Sequence, residues 1–130
     1  MVELNFVFLL IKIIILIIMK FLLEYLLRDY YNVIYVDWSI LGQGPCYIMA
    51  VHNTKQAGKC TAQLVERILE AGTADIHMIG FSLGAHVTNF VATNLHSYKV
   101  PRITGKFYLN INFHLFHCFD FIFSISYLQD

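Results

Sequence analysis

The residues with the clearest potential for chemistry are the five of Gly80-Phe81-Ser82-Leu83-Gly84. A serine with glycine two positions away on each side fits a very tight strand-to-helix turn, from which its hydroxyl stands clear of the sheet as a nucleophile. Side chains at 80 and 84 would collide with the neighbouring strand and helix, so glycine is needed there. The same turn places the Leu83 backbone N–H at a helix N-terminus, where it can donate to an oxyanion.

The flanking sequence decides between this interpretation and an ordinary Ser-Gly turn that merely joins two elements. Residues 75–80 form a short apolar run that is typical of a buried strand. Residues 83–96 follow at once, with apolar side chains at helical spacing on one face. Because the motif requires a strand directly before it and a helix directly after it, this context favours a nucleophilic Ser82.

The rest of the middle segment predicts the elements that position this turn. Residues 31–38 are apolar on both faces and predict a buried strand. Residues 47–71 predict a helix that ends at Gly72, and residues 100–104 predict a further strand. The order strand, helix, strand, helix, strand predicts an α/β fold with a parallel βαβαβ core.

The chain is 58% hydrophobic, and its apolar residues are concentrated at the two ends. Residues 6–27 are long and apolar enough for a membrane span, although Lys12 near the middle costs about 2.5–3.5 kcal/mol. Glu3 stands where a signal peptide has positive charge, and no small-x-small cleavage site follows. A signal-anchor or degenerate signal, a buried core helix and a stretch foreign to the mature protein all stay open. The net charge of zero argues against nucleic acid as a partner.

Three segments together resemble the pancreatic-lipase family, which comprises secreted triacylglycerol lipases and related phospholipases A1. They are residues 33–39 (VIYVDWS), 77–86 (HMIGFSLGAH) and 102–105 (RITG), and the resemblance covers about residues 29–105. It implies an α/β-hydrolase fold, a Ser–Asp–His triad, an extracellular location and hydrolysis of carboxylic esters. The implied partner is a lipid ester or a lipid surface. We expect no cofactor and no metal.

The chain departs from the family at the other two members of the triad. Phe107 stands where the resemblance places the aspartate, and a phenyl ring cannot accept the imidazole N–H or stabilise an imidazolium. His114 and His117 are the only histidines after Gly105, and both lie in an apolar stretch without a partner carboxylate. Asp120 is not a convincing replacement. No triad aspartate or histidine is therefore assigned, and residues 1–28 contain no histidine-glycine loop for a second oxyanion donor.

Other polar residues of the middle segment have structural interpretations. We expect His77 to be packed or hydrogen-bonded within its strand, His86 to be structural, and Asp37 to cap a turn. Cys46 and Cys60 would lie about 21 Å apart along one continuous helix, so they can pair only if the helix begins well after Cys46.

The sequence thus divides into three segments: a hydrophobic, signal-anchor or transmembrane-like segment (1–28), a partial lipase α/β-hydrolase domain (29–105), and an apolar tail unrelated to the family (106–130). Two functions remain. The first is a lipase-family carboxylic-ester hydrolase acting on triacylglycerol or phospholipid, which carries the nucleophile turn only and is inactive as written. The alternative is a non-catalytic, truncated lipase-like protein associated with a membrane through residues 6–27.

Overall fold

The computed structural model describes residues 2–28, 31–42, 47–106 and 123–128. These residues form four helices and four strands. In chain order they are α1 (Val2–Leu26), β1 (Tyr31–Val36), α2 (Ser39–Gly42), α3 (Tyr47–Glu70), β2 (Ile76–Phe81), α4 (Leu83–Asn94), β3 (Arg102–Lys106) and β4 (Phe123–Leu128). The predicted succession of strands and helices between residues 31 and 106 is confirmed, with the addition of the short α2.

The four strands form one sheet in the order β1-β4-β2-β3. β2 and β3 are parallel, and β4 is antiparallel to both of its neighbours, so that β1 and β2 point the same way. β1, β2 and β3 thus share one direction, as the predicted parallel core requires, and the antiparallel β4 lies between β1 and β2. The sequence signal for β4 is its alternation of serine with larger apolar residues, which is the period of a strand.

The main hydrophobic core lies between the sheet and the helices α3 and α4. Ile76 and Met78 project from one face of β2 into it, where Val65 of α3 and Val87 of α4 are fully buried. α3 and α4 approach each other closely at Gly58, where an added Cβ would lie 2.3 Å from the Cβ of Phe90. A glycine at this position permits the contact between the two helices that supports the start of α4.

The end of α3 leads the chain directly into β2. The Gly72 N–H donates to the carbonyl of Leu69 and the Thr73 N–H donates to the carbonyl of Ile68, at 3.0 and 3.4 Å. Gly72 has φ +100°, a left-handed conformation that glycine adopts without strain. This is the paired hydrogen-bond pattern of a Schellman cap, and it confirms Gly72 as the predicted end of the helix.

α1 covers the opposite face of the sheet. Its Phe21 ring lies edge-on to Phe81 with centroids 5.9 Å apart, and its Tyr25 ring lies 5.3 Å from Tyr31. Ile18 of the same helix is buried, whereas Leu16 and Leu26 are largely exposed. Over the stretch of chain that the structure describes, no helix is long and apolar enough to cross a membrane.

Candidate active site

Ser82 occupies the single-residue turn between β2 and α4, as predicted. Its backbone has φ 52° and ψ −120°, and among the described residues it is the one non-glycine residue with positive φ. Such a conformation costs an L-residue about 1–3 kcal/mol, and it persists only where the surrounding structure holds it. The Ala85 N–H donates to the Ser82 carbonyl at 3.0 Å, which closes the first turn of α4 directly behind the serine.

Gly80 makes the tight turn sterically feasible. A Cβ at this position would lie 2.4 Å from the carbonyl oxygen of Gly84, 2.5 Å from its carbonyl carbon and 2.6 Å from the nitrogen of Ala85. All three atoms belong to the main chain of α4 and cannot rotate away. The predicted need for glycine at 80 therefore has a direct cause, because the last residues of β2 lie against the backbone of the first turn of α4, which includes Gly84.

The two groups predicted to act on an ester lie side by side at this turn. The Ser82 side chain makes no capping hydrogen bond to α4, and the residue is partly exposed. Leu83 is the first residue of α4, so its N–H has no acceptor within the helix. The Leu83 side chain is 2% exposed and anchors the turn in the core. A hydroxyl and a helix N-terminal N–H thus stand together at the carboxyl end of β2.

His77 is the most deeply buried ionisable group near the turn. It lies on the α1 face of β2, where its Nδ1 is 3.2 Å from the hydroxyl of Tyr25 and its Nε2 is 2.9 Å from the hydroxyl of Thr104. Burial lowers the pKa of His77 below its usual 6.5, and the positive charge of Arg102 lowers it further, against a smaller opposing effect of Asp75. The expectation of a packed, hydrogen-bonded histidine is confirmed. Its two hydroxyl partners come from α1 and β3, which sequence spacing does not bring together.

The remaining candidates are placed as follows. Asp37 directly follows β1 and is exposed at the carboxyl edge of the sheet, and His86 is exposed one turn into α4. Phe107, His114, His117 and Asp120 lie outside the described residues. Among the residues that are described, no group of three His, Cys, Asp or Glu side chains could hold a metal ion.

Cys60 carries a free, exposed thiol on α3, and the Gln56 side-chain amide donates to its sulfur at 3.4 Å. α3 begins at Tyr47, immediately after Cys46, which itself lies outside the described residues. The geometric condition for a Cys46–Cys60 pair, a helix that begins well after Cys46, is therefore not met.

Comparison with known proteins shows which of them this chain resembles. The family model described as Lipase matches residues 17–114, a range that extends beyond the predicted resemblance at both ends. The chain is 40% identical over 78 residues to hepatic triacylglycerol lipase of Homo sapiens, covering 57% of this chain and 15% of that protein. It is 37% identical over 90 residues to lipase member H of Danio rerio, covering 67% of this chain and 20% of that protein. The chain thus spans no more than a fifth of these relatives. No solved structure matches it significantly.

Proposed function

We propose, from the premise that this chain belongs to the lipase family, that its described part is a piece of an α/β-hydrolase domain carrying the nucleophile of a carboxylic-ester hydrolase. The observation that carries the proposal is the strained backbone of Ser82, within Gly-Phe-Ser-Leu-Gly and between β2 and α4. That conformation is uncommon for serine, and in a nucleophile elbow it serves to expose the serine hydroxyl at the edge of the sheet. The proposed substrates are lipid esters, either triacylglycerols or phospholipids, and the proposed location is extracellular, following the family.

The chemistry at the turn is acyl transfer. The Ser82 Oγ attacks the ester carbonyl carbon. The carbonyl oxygen then becomes an oxyanion, which accepts a hydrogen bond from the Leu83 N–H. The ester C–O bond then breaks, the alcohol leaves with a proton, and water releases the acid from the acyl-serine. In general, one preorganised oxyanion donor contributes about 10²–10³ in kcat. A complete site also needs a base for the Ser82 proton and a carboxylate that orients this base.

The second candidate function, a non-catalytic lipase-like protein, is favoured by one specific observation. Residue 107 is phenylalanine, at the place where the family resemblance puts the orienting aspartate. Triad members act as a unit, and loss of the aspartate alone lowers kcat by about 3 × 10⁴ in a well-studied serine protease. We therefore expect the 130-residue chain and its Ser82→Ala variant to hydrolyse a short-chain ester and a phospholipid at equal, near-background rates.

A chimera separates the two candidates. Residues 29–105 replace the corresponding segment of human hepatic triacylglycerol lipase, so that the host supplies the remaining triad members. We expect ester hydrolysis in this chimera, its loss in Ser82→Ala, and its retention in the control Ser97→Ala, which removes an exposed hydroxyl elsewhere. A folded chimera whose hydrolysis survives Ser82→Ala would overturn the proposed nucleophile.

The exchange is then extended to residue 114, which introduces Phe107. We expect this longer chimera to lose hydrolysis and to regain it with Phe107→Asp. Full activity with phenylalanine at 107 would overturn the second candidate.

A further inference from the structure

His77 is a buried histidine that the chemistry proposed for Ser82 does not use. It is 7% exposed, and its ring nitrogens lie within hydrogen-bonding distance of two hydroxyl groups, those of Tyr25 on α1 and Thr104 on β3. A hydroxyl can donate or accept, so both hydrogen bonds are satisfied around a neutral ring. Neither hydroxyl carries a negative charge. A proton added to the ring would therefore create a buried cation whose two hydrogen-bond partners do not compensate its charge.

The charges around His77 make this proton still less favourable. Burial lowers the pKa of His77 below its usual 6.5, and Arg102, its partner in the register of β2 and β3, lowers it further. Asp75, exposed just before β2, opposes both effects by a smaller amount. The other titratable residues on the surrounding elements are the exposed Lys20, Glu24 and Arg28 in and after α1, Tyr31 of β1, which packs on Tyr25, Lys106 of β3, which pairs with Phe81, and Tyr127 of β4, which pairs with Ile76.

α1 is the element that separates His77 from water. His77, Ile79 and Phe81 lie on one face of β2, where Tyr25 of α1 contacts the first of them and Phe21 contacts the last. Ile79, between them, is 3% exposed. β3 and β4 flank β2 within the sheet, so they do not cover this face. The burial of His77 therefore depends on α1.

α1 is attached to the sheet along one side only. Ile18 is buried and Phe21 and Tyr25 are half-buried, whereas Leu16 and Leu23 on other sides of the helix are 67% and 54% exposed. The main hydrophobic core lies on the opposite face of the sheet, under α3 and α4. Detachment of α1 thus hydrates His77 while that core stays closed.

We propose that His77 is a pH-sensitive latch, which holds α1 on the sheet at neutral pH and releases it in mildly acidic solution. The neutral ring links Tyr25 to Thr104 and keeps α1 closed over β2. A protonated ring favours any state in which it is hydrated, and detachment of α1 is the smallest opening that hydrates it. Phe21 leaves Phe81 in the same step, so the residue directly before Ser82 loses its cover. The latch itself does not depend on hydrolysis by Ser82.

The sign of the effect follows from the two states of the histidine. The pKa of His77 is below 6.5 while α1 covers it and returns toward 6.5 when α1 is detached. The open state therefore binds the proton more readily. Its population should rise as pH falls from 6.5 toward the pKa of the covered ring, by up to about tenfold per pH unit.

The experiment compares two neighbouring buried positions of β2. Ile79 lies on the face that α1 covers, and Met78, which is 0% exposed, lies on the core face. Each is replaced singly by cysteine in the full 130-residue chain, with the three native cysteines changed to serine. Labelling of the new thiol by dithiodipyridine is followed at pH values from about 7.5 to about 5. Each rate is divided by that of the same variant unfolded in urea at the same pH, which removes the intrinsic pH dependence of the thiol.

We expect the relative rate of Ile79→Cys to exceed that of Met78→Cys by at least about tenfold at each pH, because detachment of α1 spares the core. The rate of Ile79→Cys should rise as pH falls below 6.5. Low concentrations of urea should hardly change it, whereas they should accelerate labelling of Met78→Cys, since only that position requires exposure of the core. Equal relative rates with equal urea dependence would show that α1 does not open separately and would overturn the proposal.

Two further variants of the Ile79→Cys chain test the role of the imidazole. His77→Gln keeps a donor and an acceptor but cannot take up the proton, so the rise at acid pH should disappear. Arg102→Gln leaves the ring in place and removes a charge that lowers its pKa, so the rise should become smaller. The matched control, Lys99→Gln, removes the same charge at an exposed position outside the sheet and should keep the full rise.

A parent rate that does not change with pH would overturn the latch, and so would a rise that survives His77→Gln in a folded chain. Emission from the buried Trp38 reports whether each variant is folded. Arg102→Gln alters no buried side chain, so it tests the same charge if His77→Gln fails to fold. An equal rise in Arg102→Gln and Lys99→Gln would contradict the electrostatic origin of the latch. None of these measurements requires hydrolysis, so their outcome is independent of the chimera's.

Discussion

Replacement of Gly80 by alanine tests whether the approach of β2 to α4 is as tight as the structure shows. The new Cβ would meet three main-chain atoms at 2.4–2.6 Å, whereas ordinary contact begins at 3.4 Å. The turn around Ser82 must therefore open by about 1 Å. Overpacking of this kind destabilises the folded state by about 1–3 kcal/mol. Alanine also restricts the unfolded chain more than glycine does, which offsets about 0.4–1 kcal/mol of that loss. Because the obstacle is backbone, we expect a net loss of about 2 kcal/mol.

The assay is equilibrium unfolding in urea, followed by the fluorescence of Trp38, the only tryptophan of the chain and a member of the buried core. Gly72 provides the matched control, because an added Cβ there has no atom within 4 Å and the obstacle is its φ of +100° alone. Because asparagine tolerates left-handed backbone, Gly72→Asn should lower the free energy of unfolding less than Gly72→Ala does. At position 80 the order should reverse, because the larger side chain meets the same main-chain atoms. The steric argument would be refuted if the free energy of unfolding of Gly80→Ala lay within about 0.5 kcal/mol of the parent's, with an unchanged denaturant slope.

Three further predictions concern the turn and the buried histidine. Ser82→Gly should raise the free energy of unfolding by about 1 kcal/mol in the same assay, since it releases strain, whereas Ser82→Ala keeps the Cβ and should change little. The pKa of His77 lies below 6.5 in the folded state, so unfolded chains bind the proton more readily and stability should fall as pH drops through 6.5 toward the folded pKa. His77→Gln should flatten that dependence, and a parent chain with equal urea midpoints at neutral and acid pH would contradict it. Tyr25→Phe removes the hydrogen bond to His77 and should destabilise the chain by about 0.5–1.5 kcal/mol, measured by its urea midpoint.

The turn around Ser82 was predictable because all of its determinants are local. The strand, the two glycines, the serine and the first helical turn occupy one continuous stretch of sequence, and each has a period or a steric requirement of its own. The end of α3 at Gly72 was predictable for the same reason, since a left-handed glycine after a periodic apolar stripe fixes the boundary.

The insertion of β4 between β1 and β2 was not predictable from this sequence. Its register pairs Ile125 with Ile34 on one side and with Met78 on the other, contacts that join distant parts of the chain. Strand alternation marks a segment as extended but does not choose its neighbours. The βαβ order fixed the common direction of β1 and β2 without fixing how many strands separate them.

The packing of α1 on the sheet could not be predicted from the sequence for a different reason. Residues 6–27 are apolar except for Lys12, Lys20 and Glu24, so hydropathy alone does not show which side of the helix packs on the sheet. The side that packs on the sheet is marked by Ile18, Phe21 and Tyr25, which share one helix face by their spacing. Aromatic rings are the informative residues in that set, because they find specific partners in Phe81 and Tyr31.

The strained turn and the packing around it are parts of one arrangement. β2 has a strand on each side, α3 and α4 on one face and side chains of α1 on the other, and Ile76 to Gly80 are buried without exception. A backbone conformation as unfavourable as that of Ser82 persists only when several independent contacts hold it. Those contacts converge on the strand that ends at the serine, whereas every residue of β3 from Arg102 to Gly105 is exposed. Among β1, β2 and β3, the most deeply buried strand is thus the one that presents the candidate nucleophile, and this coincidence supports a chemical role for Ser82.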